Sequence, residues 1–242
     1  MQLDFSSREV TIKLVYYGPA LSGKTTNLVA LHKSAGPDAK GRLMTLETQD
    51  DRTLFFDLLP LTFRSREGDV SLRIKLFTVP GQPIHAATRR LVLQGADGVA
   101  LIADSRIAET QSNAASFFDL KQNLKDNGIE LSKMPLVIQF NKRDLPDIRS
   151  DEELAELAAR GKEPVYKAIA TRGVGVVETF VGLLHATWHS LDANHQLAKK
   201  LSFDGNELLA TAARQLGVTT TVRDLLARRM GGVALAAARN VP

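Results

Sequence analysis

Gly18-Pro19-Ala20-Leu21-Ser22-Gly23-Lys24-Thr25 carries the spacing G-x-x-x-x-G-K-[ST], and each fixed position meets a need of binding a run of phosphates. Glycines let the backbone curl so that successive N–H groups point inward at phosphate oxygens, and the helix expected next adds the positive end of its dipole. Lys24 would reach the β- and γ-phosphates. The Thr25 hydroxyl would enter a Mg²⁺ shell that also keeps waters, and Thr26 joins the phosphate-binding set. A glycine-containing turn with a surface lysine is the bland alternative, but it does not require the full motif between a strand and a helix. The loop leaves base and reaction open, since kinases and ATPases share it.

Asn141-Lys142-Arg143-Asp144 follows an apolar run at 136–140 and so falls at a strand's C-terminal end, where open α/β sheets bind ligands. A carboxylate at Asp144 can accept hydrogen bonds from guanine N1–H and the exocyclic amine. Adenine lacks that donor pair, and a mispaired buried carboxylate costs ~2 to 5 kcal/mol. Asn141 would tie loops together, and the Lys142 stem would cover one face of the base. Alone, N-K-x-D is compatible with a surface turn; after a phosphate loop it points to a guanine reader.

These two motifs, with Pro80-Gly81-Gln82 between them, resemble the Ras-like small GTPases. The chain more closely resembles the bacterial MglA family of polarity and gliding-motility GTPases. That likeness rests on Val15-Tyr16-Tyr17-Gly18-Pro19, Arg52-Thr53-Leu54-Phe55-Phe56-Asp57, Thr78-Val79-Pro80-Gly81-Gln82, Asn141-Lys142-Arg143-Asp144-Leu145-Pro146 and Gly173-Val174-Gly175-Val176. It extends over roughly residues 5–190.

The resemblance implies a Ras-like P-loop G domain that binds GTP and GDP with Mg²⁺ and hydrolyses GTP. Thr53 falls at the switch threonine that meets Mg²⁺ and the γ-phosphate, which makes Thr25 and Thr53 the metal ligands. Arg52 resembles an internally supplied catalytic arginine and Gln82 the water-positioning glutamine, so Gln82, Arg52, Thr53 and Lys24 form the catalytic set. Gly81 joins the nucleotide-binding residues. Ile169-Ala170-Thr171 falls at the loop whose backbone N–H contacts guanine O6, with Ala170 and Thr171 assigned to the base. Thr78 stands where the wider Ras pattern has the D-x-x-G aspartate, as it does across the MglA family, and a neutral hydroxyl there weakens unaided Mg²⁺ holding.

The likeness further implies a homodimeric roadblock-type, MglB-like activator, polarity or motility effectors, cytoplasmic residence with polar clusters, and a register shift near residues 58–63 between nucleotide states. A GTP-gated docking protein that scarcely hydrolyses remains the rival, with Thr78 as its support. An ATP-using kinase is disfavoured by the guanine signature.

The motifs need a scaffold of strand and helix units, and residues 11–192 alternate short apolar runs with helical stretches. Strands are expected at 10–17, at 98–103, buried on both faces, and at 136–140. Leu72, Ile74 and Leu76 alternate with Arg73 and Lys75, which predicts a strand near a sheet edge. Helices are expected at 23–33 and 109–127, from the Ser150/Glu153 capping box to 160, and from Gly175 through Trp188. The fold expected is α/β with a mostly parallel central sheet flanked by helices. Residues 1–192 form the G domain and 193–242, richer in alanine, leucine and arginine, a helical appendage with helices at 207–216 and 222–230.

With no cysteine, disulfides, thiolate zinc and cysteine nucleophiles are excluded, and a reducing compartment is favoured. No apolar run approaches the roughly 18 residues that span a bilayer, so neither export nor an integral segment is expected. The net charge of +4 is too scattered to suggest a nucleic-acid partner. His185 and His189 have metal-ligand spacing, but without the intervening glutamate of the protease motif they read as ordinary helix histidines. Arg223, Arg228, Arg229 and Arg239 read as a solvated helix face.

Overall fold

The computed structural model describes residues 1–47, 55–65 and 69–229. Strands are β1 (Gln2–Asp4), β2 (Glu9–Tyr17), β3 (Met44–Glu47), β4 (Phe55–Arg64), β5 (Ser71–Thr78), β6 (Gly98–Asp104), β7 (Leu136–Asn141) and β8 (Val165–Lys167). Helices are α1 (Lys24–Ser34), α2 (Ala86–Leu93), α3 (Thr110–Asp126), α4 (Asp151–Arg160), α5 (Val176–His195), α6 (Leu197–Leu201), α7 (Gly205–Gln215) and α8 (Val222–Ala227).

The strands join one sheet in the order β3-β4-β5-β2-β6-β7-β8, with β1 paired to β2. From β5 through β8 all neighbours are parallel, whereas β3, β4 and β5 pair antiparallel. After β2 the chain moves to one side of the sheet, and after β5 it crosses to the other. The carboxyl end of β2 is therefore the switch point where such sheets open a crevice for ligands. Tyr16 lies beside Thr78, and Asp104 beside Asn141, so four strand ends deliver their loops to one rim.

All of β6 is buried, as an apolar run covered on both faces must be. One core layer joins the β2, β4 and β5 side chains to α1, α5, α7 and α8, and a second packs β2 and β6 on α2 and α3. The Ser150 hydroxyl accepts from the Glu153 N–H while the Glu153 carboxylate accepts from the Ser150 N–H, so the capping box starts α4 as its sequence dictates.

The expectation that β5 lies near an edge needs correction, because it runs between β4 and β2. Arg73 and Lys75 are exposed while Leu72, Ile74 and Leu76 are buried. Alternation reports one solvated face, and a central strand, here paired antiparallel on one side and parallel on the other, can have one as readily as an edge strand.

Beyond the expected end at Trp188, α5 continues to His195, and α6, α7 and α8 follow. Leu197, Leu201, Leu208, Leu209, Ala212 and Leu225 belong to the same buried cluster as Leu59, Leu61 and Phe63 of β4. The indole of Trp188 stacks against Phe203 with ring centroids 5.3 Å apart. The Gly36 N–H donates to the Gln215 carbonyl, and Arg228 pairs with Glu178. Among the described residues no helix is long and apolar enough to cross a membrane.

Candidate functional site

The phosphate loop leaves β2 at Gly18 and enters α1 at Lys24. Gly23 has φ +97°, and a Cβ there would lie 2.3 Å from the Asn141 amide nitrogen, so both backbone and space demand glycine. Leu21 also adopts a left-handed backbone, with its side chain 87% exposed. A bulky residue held that way marks a loop shaped for something other than its own packing. No side chain caps α1, and its first turn carries no acid. Its orphan N–H groups and positive dipole end thus remain directed at the loop.

Lys24 is buried, and its ammonium donates to the Gly18 and Pro19 carbonyls at 2.9 and 2.6 Å. Burial, and after it the charge of Arg89, pull its pKa down to about 8 against the opposing effect of Asp57. A buried cation depressed in this way is relieved by an anion.

Beside the lysine, the Thr25 hydroxyl donates to the Asp57 carboxylate at 2.6 Å. Asp57 lies in β4, is 3% exposed, and also accepts from Thr45 at 2.8 Å and Thr78 at 2.9 Å. The Thr78 oxygen in turn accepts from the Asp57 N–H. A lone acid within a strand of phenylalanines and leucines survives burial only when its oxygens are satisfied, and here three hydroxyls do so. This cleft, of about 430 Å³, is lined by Lys24, Thr25, Asp57, Thr78, Gly81 and Gln82 among others. A Cβ on Gly81 would lie 2.2 Å from the Ala20 nitrogen, so the loop after β5 rests directly on the phosphate loop. Gln82 is exposed.

Asn141, 2% exposed, donates from Nδ2 to the Ser22 carbonyl at 2.8 Å and accepts at Oδ1 from the Ala170 N–H at 2.9 Å. One amide therefore joins three loops. Lys142 has φ +64° and donates to Asp104 at 2.7 Å. Burial would raise the Asp104 pKa, but hydrogen bonds from Arg106 and Lys142 prevail and hold it to about 2. The Asp144 side chain is 24% exposed, met at 3.9 Å by the exposed guanidinium of Arg172. Thr171 is exposed and Ala170 buried.

Gly18, Ala20, Leu21, Ser22, Gly23, Lys24, Thr25, Gly81 and Gln82 thus gather at one end of the site, with Asn141, Lys142, Asp144, Ala170 and Thr171 along the adjoining rim. Thr26 follows Thr25 on α1 and is half-buried. Arg52 and Thr53 lie outside the described residues.

No family model matches the chain. It is similar to the mutual gliding-motility protein MglA of Myxococcus xanthus (strain DK1622), with 46% identity over 177 residues that cover 73% of this chain and 90% of that protein. The chain belongs to the MglA family. Membership makes the fold a Ras-like G domain and the ligand a guanine nucleotide, and it places the chain among small GTPases at the level of the family.

Sequence reasoning about the MglA pattern missed Asp57 and Asp104 as members of the site. Each is an acid in or ending an apolar strand, a signal that burial would demand specific partners. His185 and His189, by contrast, bond to each other with Nε2 atoms 3.0 Å apart. No group of three or more His, Cys, Asp or Glu suited to a metal occurs among the described residues.

Proposed function

We propose that this protein is a GTP-binding switch that hydrolyses GTP to GDP and phosphate, with residues 1–192 as the switch unit and 193–242 as an accessory helical segment. The observation that carries the reading is the Asn141 amide, which ties the phosphate loop to the loop of Ala170. A ligand bridging these loops must combine phosphates with a base that Asp144 can read. Since the Ala170 N–H is donated to Asn141, the contact to guanine O6 is assigned to the next N–H, that of Thr171.

The donor set fits Mg²⁺, which takes one or two protein oxygens together with phosphates and waters. Thr25 would hold the ion, with Thr53 as the second hydroxyl. The Thr25 proton is committed to Asp57, so its lone pairs remain for a cation, and the Asp57 carboxylate supplies the charge that Thr78 lacks. Bound Mg²⁺ would offset charge on the phosphate oxygens. Lys24 leaves its loop carbonyls for the β- and γ-phosphates, Gln82 orients the attacking water, and Arg52 brings a guanidinium to the transition state, a contribution worth ~10³ to 10⁵ in rate when held in place.

Asp57 weakens the case for a docking protein without hydrolysis, because the missing carboxylate has a substitute in the adjoining strand. The named relative serves gliding motility, and we extend to this chain a cytoplasmic role in motility or polarity, clustering at cell poles, with nucleotide-dependent effectors and a roadblock-type, MglB-like activator. The test is GTP turnover with and without such an activator. Turnover should rise with the activator and be abolished in Gln82→Leu and Arg52→Ala, both of which keep GTP binding. Unchanged turnover in either variant removes that residue from the mechanism.

A further inference from the structure

Gln82 sits in a loop between the end of β5 and a single 3-10 turn at Pro83–His85, and nothing in that local sequence fixes where its amide points. What lies behind the loop holds its backbone. Arg89 of α2 is 6% exposed, and its Nη1 donates to the carbonyls of both Pro80 and Gln82, bracketing Gly81. Its Nε donates to Asp119 of α3 at 2.6 Å. Asp119 also accepts from the hydroxyl of Tyr17, the last residue before Gly18. Asn123 steadies the arrangement by donating to the Tyr17 oxygen at 3.0 Å and to the Asp119 carbonyl at 2.9 Å.

The connections form a loop of their own. The phosphate loop touches the Gly81 backbone from one side, while from the other Arg89 holds the flanking carbonyls and is itself tied, through Asp119 and Tyr17, to the root of the phosphate loop. A buried guanidinium with a carboxylate partner is costly to disturb. Placement errors of about 1 Å in a reacting group can cost ~100-fold in rate.

We propose that Arg89, oriented by Asp119 and Tyr17, is a positioning residue that sets the Pro80-Gly81-Gln82 backbone against the phosphate loop and so aims the Gln82 amide. This deepens, and for its kinetic part rests on, the hydrolysis reading above. An ion pair that merely joins α2 to α3 would loosen both helices when broken. A positioning latch loosens residues 81–85 and slows turnover while sparing nucleotide affinity.

The test uses the full chain bearing Arg89→Lys, Asp119→Asn or Tyr17→Phe, the last removing only a hydroxyl. Amide hydrogen exchange with a non-hydrolysable GTP analogue bound is compared with GTP affinity and activator-stimulated single-turnover hydrolysis. Arg89→Lys and Asp119→Asn should speed exchange at residues 81–85 about tenfold or more, leave residues 20–25 and α3 unchanged, and slow hydrolysis about ten- to 100-fold with affinity within twofold. Tyr17→Phe should act in the same direction and more weakly. Unchanged exchange at 81–85, or equal loosening across α2 and α3, overturns the latch. If the wild-type chain fails to hydrolyse GTP, the hydrolysis reading falls, and exchange still decides the latch.

Discussion

Replacing Asp57 with asparagine keeps the shape of a side chain that is 3% exposed but removes its charge. The carboxylate accepts three hydroxyl protons, from Thr25, Thr45 and Thr78. Asparagine offers one carbonyl oxygen, and its NH₂ group must face at least one of those donors. Because hydroxyls rotate and can accept instead, the folding loss should stay near the ~1 to 2 kcal/mol of a hydrogen bond or two, partly offset by removing a buried charge. Cation binding should suffer more. Only the Thr25 contact orients a proposed Mg²⁺ ligand, and losing an outer partner of that kind costs ~10- to 100-fold in metal affinity, or about 1.4 to 2.7 kcal/mol. The assay is the release rate of a fluorescent GDP analogue, titrated with Mg²⁺ and with EDTA. Asp57→Asn should need about 10 to 100 times more Mg²⁺ to slow release, with little change in the EDTA rate. An unaltered Mg²⁺ midpoint would show that Asp57 plays no part in holding the cation.

Asp144→Asn should weaken GTP binding by at least about 30-fold, matching ~2 kcal/mol or more for the mispaired site, and should strengthen binding of xanthosine triphosphate, whose O2 can accept from the amide. Competition against labelled GDP reads both. Gly81→Ala sets a Cβ 2.2 Å from the Ala20 nitrogen, so the loop must retreat by about 1 Å. Stimulated turnover should fall ~100-fold, more than GDP affinity does. Burial, with lesser contributions from His189 and Arg229, pushes His185 down to about 4 from its usual 6.5. The folded state therefore resists protonation more than the unfolded state does. Its contribution is intact above pH 6.5 and lost as pH falls toward 4, to a limit of about 3 kcal/mol. Urea titrations at pH 7 and pH 4.5 should show a smaller difference for His185→Leu than for the natural chain.

The phosphate loop was legible because its motif encodes a backbone shape, and the same holds for the Ser150 capping box, whose partners are three residues apart. The buried strand β6 announced itself by composition. Asp57 did not, since its meaning depends on threonines from α1, β3 and β5 that only the sheet brings together. The link from Tyr17 to Asp119 spans 102 positions and that from Arg89 to Asp119 spans 30, and no local pattern records either. β5 was misplaced for a related reason: side-chain alternation describes the two faces of a strand and is silent about its lateral neighbours. The short strands β1, β3 and β8 and the five-residue α6 carry too few residues for a period to emerge.

Because α7 shares a buried cluster with Leu59, Leu61 and Phe63, the strand bearing Asp57 is roofed by residues made about 150 positions after it. A ribosome that has released only the first two hundred residues has already delivered every described part of the nucleotide cleft, yet the underside of β4 still lacks its cover. The growing chain thus exposes a greasy stripe until α7 and α8 arrive, and a stalled or clipped product would carry that stripe as an invitation to chaperones or to aggregation.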